Sequence, residues 1–340
     1  MFSSFTARTA RRQHHAADWR QLLAQSIRDP DELIDLLELP ADLKPAAQAA
    51  AREFPLLAPR GYVARMRKGD PRDPLLLQVL PLALELREAA GFLRDPVGDL
   101  AARQAPGLLQ KYAGRALLIT TGACAVHCRY CFRRHYPYSE EPSSPEAWRP
   151  ALSAIAEDET IHEVILSGGD PLVLSDRRLQ ELFAAIRRMP HVKRLRLHSR
   201  LPIVLPERVT ARLIALLKGA GIQPVVVVHA NHASELVGEC AAALARLVES
   251  GVCTLNQAVL LAGVNDSADA QVALHETLVG LGVLPYYLHQ LDKVAGAAHF
   301  EVNPRHGVAL MQAVRLRLPG YAVPRYVREE PGAGSKRPIG

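Results

Sequence analysis

Three cysteines fall within eight residues, in the run Cys124-Ala-Val-His-Cys128-Arg-Tyr-Cys131. The chain has five cysteines in 340 residues, so composition alone gives such a spacing in roughly one chain in a thousand. Thiolates set this close together are ligands for soft metals. A structural zinc site asks for four ligands, from paired Cys-x-x-Cys units or added histidines. No second pair exists here: Cys240 and Cys253 fall on an expected helix and an expected strand, and read as small apolar residues. Three thiolates without a fourth leave one iron of a [4Fe–4S] cluster without a protein ligand. An open iron can chelate a small molecule.

Such a loop needs a scaffold, and the sequence around it has a regular alternation. From about Arg115 on, β-branched or leucine-rich runs occur at 116–121, 164–167, 195–199, 225–229, 254–261, 286–291 and 321–327. Helical patterns lie between them at 145–157, 176–189, 209–219, 234–249, 268–280 and 304–317. Asp176, Thr210, Ser234 and the Asn303-Pro304 pair stand where helices begin. Strand–helix alternation at this spacing means parallel strands joined by right-handed crossovers. The expected fold is α/β, a partial (β/α)6-type barrel. Working residues of such folds sit at the C-terminal ends of the strands, and the strands here run into Gly168-Gly169-Asp170, His198-Ser199-Arg200, His229-Ala230-Asn231 and Gln290-Leu291-Asp292. The first strand runs into the cysteines themselves.

Residues 1–110 read as an N-terminal helical region, with leucine-rich helical stretches behind Asp29 and over 74–93. The core is expected over 111–330, and 331–340 forms a Gly-rich tail. Lys+Arg 41 against Asp+Glu 35 gives a net charge of +6, too mild and dispersed to indicate a nucleic-acid partner. No run reaches the ~18–20 apolar residues of a membrane span. The basic start before Asp18 lacks the apolar stretch of a secretory signal, and reads as a frayed terminus of a cytoplasmic protein. His127, His135, His232, His289 and His299 show no ligand spacing and read as structural.

Cys-x3-Cys-x-Tyr-Cys followed by Ser167-Gly168-Gly169-Asp170-Pro171 resembles the radical S-adenosylmethionine (SAM) superfamily. Further segments sharpen the resemblance to the lysine 2,3-aminomutases, and among them to the elongation factor P-type enzymes. These are Lys111-Tyr-Ala-Gly-Arg115, Cys131-Phe-Arg133-Arg134-His135-Tyr-Pro-Tyr138, His198-Ser-Arg-Leu-Pro-Ile-Val-Leu-Pro206, Asn256 to Asn265, Pro285-Tyr-Tyr-Leu-His-Gln-Leu-Asp292 and Pro331-Gly-Ala-Gly-Ser-Lys336.

The resemblance implies an isomerase that converts L-α-lysine to (R)-β-lysine by radical 1,2-amino migration. Its cofactors would be a [4Fe–4S] cluster on Cys124, Cys128 and Cys131, SAM on the open iron, and pyridoxal 5′-phosphate (PLP) on Lys336. It places Arg115, Lys111 and Tyr112 at the PLP phosphate, and Gly168, Gly169 and Asp170 at the SAM amino group. His198, Ser199, Arg200, His229, Asn231 and Gln257 are implied as lining the cofactor pocket, Arg133 as binding the substrate carboxylate, and Asp292 and Glu329 as binding its distal ammonium. Free-lysine members carry an aspartate where this chain has Glu329. Some also continue into a zinc-binding cysteine tail that is not expected here. The implied partners are an electron donor and, for the product, a ligase acting on a lysine of elongation factor P. Two other readings are the same chemistry on free lysine or another amino acid, and a non-catalytic Fe–S protein.

Overall fold

The computed structural model describes residues 18–142 and 144–340. The basic start before Asp18 lies outside the described residues. Ten strands form one mixed sheet in sequence order: β1 (Arg103–Ala105), β2 (Leu108–Tyr112), β3 (Arg115–Thr121), β4 (Glu163–Gly168), β5 (Arg194–Ser199), β6 (Gln223–Val228), β7 (Cys253–Leu260), β8 (Leu284–Gln290), β9 (Arg325–Arg328) and β10 (Arg337–Pro338). β3 to β9 are parallel throughout, and β1, β2 and β10 are antiparallel to their neighbours. Among the described residues β1 and β10 do not pair with each other, so the wall is rolled but open. This is a partial barrel of six strand–helix units and a seventh parallel strand.

The seven parallel strands lie on the seven apolar runs, and the crossover helices follow the helical patterns closely. They are Arg149–Glu157, Asp176–Arg187, Ala211–Lys218, Glu239–Glu249, Ala268–Gly280 and Pro304–Arg315. Thr210 and Asn303 cap their helices through their side chains. Two starts differ from the sequence reading. Ser175, not Asp176, accepts the first-turn amide. The fourth crossover helix is capped by Gly238 (φ 54°), because Ala233–Glu235 forms a separate 3₁₀ turn. The last parallel strand begins at Arg325 rather than 321, after the 3₁₀ turn Gly320–Ala322.

The N-terminal part departs further. Helices occur at Trp19–Ala24, Pro30–Leu36, Lys44–Glu53 and Arg60–Val63, but the leucine-rich stretch 74–93 holds only the 3₁₀ turns Leu76–Gln78 and Ala83–Leu86. Pro74 and Pro81 interrupt any helix there, and the Asp73 carboxylate accepts the Leu75 and Leu76 amides (2.9 and 3.1 Å). Residues 103–112 form a hairpin rather than a helix, turning at Gly107 with φ 78°.

This region packs into the same hydrophobic core as the barrel: Trp19, Leu33, Tyr62 and Leu75 share it with Leu166, Leu197 and Leu288. Buried polar contacts lock the two parts in register. At the end of β6, Asn231 Nδ2 donates to Gln78 (2.9 Å) and to the Tyr130 hydroxyl (2.6 Å). Its Oδ1 accepts the Val259 amide at 2.8 Å. Replacing Asn231 by Leu leaves these buried partners unpaired. The substitution is expected to cost about 3 kcal/mol, read as a lower urea midpoint with an unchanged slope.

Candidate active site

A cavity of about 800 Å³ occupies the mouth and interior of the open barrel. Cys124, Cys128 and Cys131 form one part of its wall, and Lys336 lies on the same wall system. All three cysteines are free and half-buried. Burial pushes their thiols up, Cys131 to about 11 with the neighbouring Cys128 adding to the effect. Each of the three therefore keeps its proton until a cation compensates it, as for metal-binding thiols generally.

Backbone contact fixes where the loop starts. Gly169 N–H donates to Thr121 O (2.7 Å) and Asp170 N–H to Ala123 O (2.8 Å). A Cβ on Gly169 would stand 2.2 Å from Ala123 O, and one on Gly168 (φ 115°) would stand 2.6 Å from Thr121 O. The two glycines are there so that the turn after β4 can lie against the backbone leading to Cys124. Further along the loop, the buried Glu85 carboxylate takes Arg129 (2.5 and 2.8 Å) and Arg134 (2.9 Å), with both guanidinium groups over the Phe54 ring.

Asp170 and Ser199 do not present free groups to the cavity. The Asp170 carboxylate accepts from Ser199 Oγ (2.7 Å) and from the Leu172, Arg200 and Leu201 amides (2.8–3.1 Å). Burial outweighs these bonds and raises its pKa to about 6. Ser199 sits behind it, off the cavity wall.

Arg133 is held rigidly: its Nε donates to Asp99 (2.6 Å) and its Nη1 to Ser167 Oγ (3.2 Å). The same Asp99 carboxylate meets Lys111 Nζ at 2.7 Å, and Lys111 lies 3.6 Å from Glu329. Lys111 is thus drawn into a carboxylate network rather than left free for a phosphate. Tyr112 likewise donates its hydroxyl to Glu329 at 2.6 Å. Arg115, stacked on Tyr112, remains on the wall beside Arg325, Tyr286 and Tyr287. Glu329 also takes Lys336 Nζ. Burial works against its charge, but Lys336, Tyr112 and Lys111 hold it below the usual range.

Asp292 faces the cavity without a side-chain hydrogen bond among the described residues. Burial raises it to about 7, with Lys336 opposing and Glu329 assisting. His198, Arg200, His229 and Gln257 also line the cavity.

His289, which its spacing left as structural, also stands on this wall, and so does His127. The Nε2 atoms of His198, His229 and His289 are buried with no partner among the described residues. Burial drives all three well below neutrality, His229 to about 3. Asp99 was also missed. Its signal, an acidic residue in a Pro-Val-Gly-Asp turn, is too common to single out.

Comparison with known proteins adds to this geometry. Residues 118–271 match the family model described as Radical SAM superfamily. The L-lysine 2,3-aminomutase of Escherichia coli (strain K12) is 45% identical over 323 residues, covering 95% of this chain and 94% of that protein. That of Haemophilus influenzae is 42% identical over 319 residues, covering 94% of each. That of Clostridium subterminale is 35% identical over 324 residues, covering 95% of this chain and 77% of that protein. The chain belongs to the radical SAM lysine 2,3-aminomutase family.

Radical SAM enzymes use a [4Fe–4S] cluster and SAM, and the cavity fits both. It offers three thiols on one loop, and beside Cys128 the buried Nε and Nη1 of Arg200 have no partner among the described residues.

Two outcomes are expected from this geometry. Gly169→Ala forces the Cys124 backbone to move, and should lower iron and sulfide content per chain by at least about half after anaerobic reconstitution. Asp292 binds its proton more tightly folded (about 7) than unfolded (about 3.9). Its contribution to stability is therefore complete below about pH 4 and lost as pH rises through about 7. Asp292→Asn should gain thermal stability over the parent protein at pH 8 and not at pH 4, with both free of PLP.

Proposed function

We propose that the protein converts L-α-lysine to (R)-β-lysine by radical 1,2-amino migration, using a [4Fe–4S] cluster, SAM and PLP. The observation that carries this reading is that one cavity holds the cysteine trio, Lys336, an immobilised arginine and an unengaged carboxyl group. When bound, the cluster with SAM would supply a hydrogen-abstracting radical, and PLP an aldehyde and a ring able to hold the migrating nitrogen.

In this reading Cys124, Cys128 and Cys131 hold the cluster and Lys336 anchors the PLP aldehyde. Arg115 on β3 and Arg325 on β9, both on the cavity wall, offer cations for the phosphate. Gly168 and Gly169 shape the SAM end, with His198, His229 and Gln257 along the wall between the cofactors. Arg133 offers its remaining N–H groups to the substrate carboxylate. Asp99 and Ser167 fix the plane of that guanidinium, so little freedom is lost on binding. Asp292 and Glu329 face the distal ammonium. Asp292, whose proton is held until about pH 7, gives that proton up as a cation approaches.

The resemblance to the elongation factor P-type enzymes supports one destination for the product. A separate ligase would attach β-lysine to a lysine of that factor in the cytoplasm, with an external electron donor reducing the cluster.

Reduced, cluster-loaded protein given SAM, PLP and L-lysine is expected to form β-lysine, seen by chiral chromatography. Formation of deoxyadenosine with another amino acid, and no β-lysine with lysine, would sink the substrate assignment. Arg133→Lys should lower kcat/KM for lysine by about 100-fold, the loss of a two-point carboxylate contact. Lys336→Ala should abolish the visible absorption band of PLP-loaded protein.

A further inference from the structure

Strand pairing puts Lys336 opposite Glu329. β10 meets β9 with Arg337 against Arg328 and Pro338 against Val327, so Lys336 and Glu329 are the next cross-strand pair of the same register. Arg328 and Arg337, both on Glu330 at 2.6 Å, brace the turn from outside. The contact between the Lys336 ammonium and Glu329 is thus set by the backbone, not by a chance rotamer.

Charge balance at this end of the cavity gives the contact a consequence. Arg133, Lys111 and Lys336 face Asp99, Glu329 and Asp292. Asp99 is shared by Arg133 and Lys111. Glu329 is held by Lys336 and Tyr112, and Asp292 faces the same ammonium without a bond of its own.

We propose that Lys336 is an internal stand-in for a ligand's ammonium. In the cofactor-free protein its side chain fills the subsite between Glu329 and Asp292, and capture of an aldehyde by Lys336 opens that subsite. The ligand class is an α-amino acid with a terminal ammonium, so the inference rests on the lysine reading above. In the capture step the Lys336 nitrogen forms a C=N bond to the aldehyde carbon. The carbonyl oxygen leaves as water with two of the ammonium protons, and the third proton goes to solvent; nothing is oxidised or reduced. Glu329 then lacks its primary ammonium, and a ligand cation restores the balance in a site where unpaired charge is costly. Cofactor loading and recognition of the amino acid become coupled: the empty enzyme does not sequester its substrate.

Calorimetric titration of cluster-loaded protein without SAM tests this with two probes. L-lysine carries the terminal ammonium, and L-norleucine matches its α-groups and chain length without it. PLP-free Lys336→Met and Lys336→Gln are expected to bind L-lysine about tenfold tighter than PLP-free parent protein, with L-norleucine unchanged. Glu329→Gln should remove the preference for lysine over norleucine. Equal lysine affinity in the PLP-free parent and in either Lys336 variant, with thermal melting showing that variant folded, overturns the proposal. If the PLP-loaded parent still prefers lysine over norleucine, the lysine reading survives that result. Absence of any preference for lysine, even in the loaded parent, overturns both.

Discussion

Two residues of antiparallel pairing hold the site together. Arg337 on Arg328 and Pro338 on Val327, extended by Ile339 N–H to Tyr326 O at 2.9 Å, fold the last residues of the described chain back across the barrel mouth. Without that pairing Lys336 would be a solvated tail residue, and the cysteine loop would face a cavity whose lysine, Lys111, is held by Asp99. A two-residue ladder is weak by itself. Here it is braced by the Glu330 ion pairs outside and by the Glu329 contact inside. The electrostatics of the cavity therefore help to hold the backbone that creates the cavity.

The cysteine end is organised on the opposite principle. Its backbone is fixed by the absence of side chains, through Gly168 and Gly169 against Thr121–Ala123, and by a buried Glu85 that pairs with both Arg129 and Arg134. Both devices fix the backbone that carries the sulfurs. A buried thiol with a raised pKa is inert until a cation arrives. The loop is therefore shaped beforehand, while its chemistry depends on metal.

The strands and crossovers were readable because each apolar run is short and bounded, and because helix-starting residues punctuate the intervals. The cysteine spacing was readable for its rarity. The N-terminal part was readable at the helix Pro30–Leu36, whose start Asp29 marks, and not beyond residue 74. Leucines over 74–93 have a helical look, yet Pro81 and the demand of Arg129 and Arg134 for the Glu85 carboxylate override local propensity. The site residues that escaped notice, Asp99 and His289, carry no local signature. Asp99 matters only because the hairpin at 103–112 brings it to Arg133. His289 matters only because β8, after its irregular register beside Gln257, turns it inward. Ser199 and Asp170 show the converse: a polar residue at a strand end can serve the turn itself.

The cavity is divided electrically, and the division follows from burial. Along the middle, His198, His229 and His289 have their pKa values driven down by burial, His229 to about 3, so each imidazole stays uncharged at neutral pH. Most of the formal charges beside them are paired: Arg133, Lys111 and Lys336 meet Asp99 and Glu329, and Arg196 and Arg200, which also line the cavity, meet Glu163 (3.1 Å) and Glu235 (2.8 Å). Uncharged nitrogens can donate or accept a hydrogen bond without imposing a field on the space they border. A reaction through a neutral carbon radical gains little from a strong field at the reacting carbon, but much from fixed charges that hold both ends of the molecule bearing it. Neutral imidazoles and cations held by carboxylates meet both requirements. Placing an unpaired cation on β5 or β8 at the level of His198 or His289 would spoil the first without improving the second.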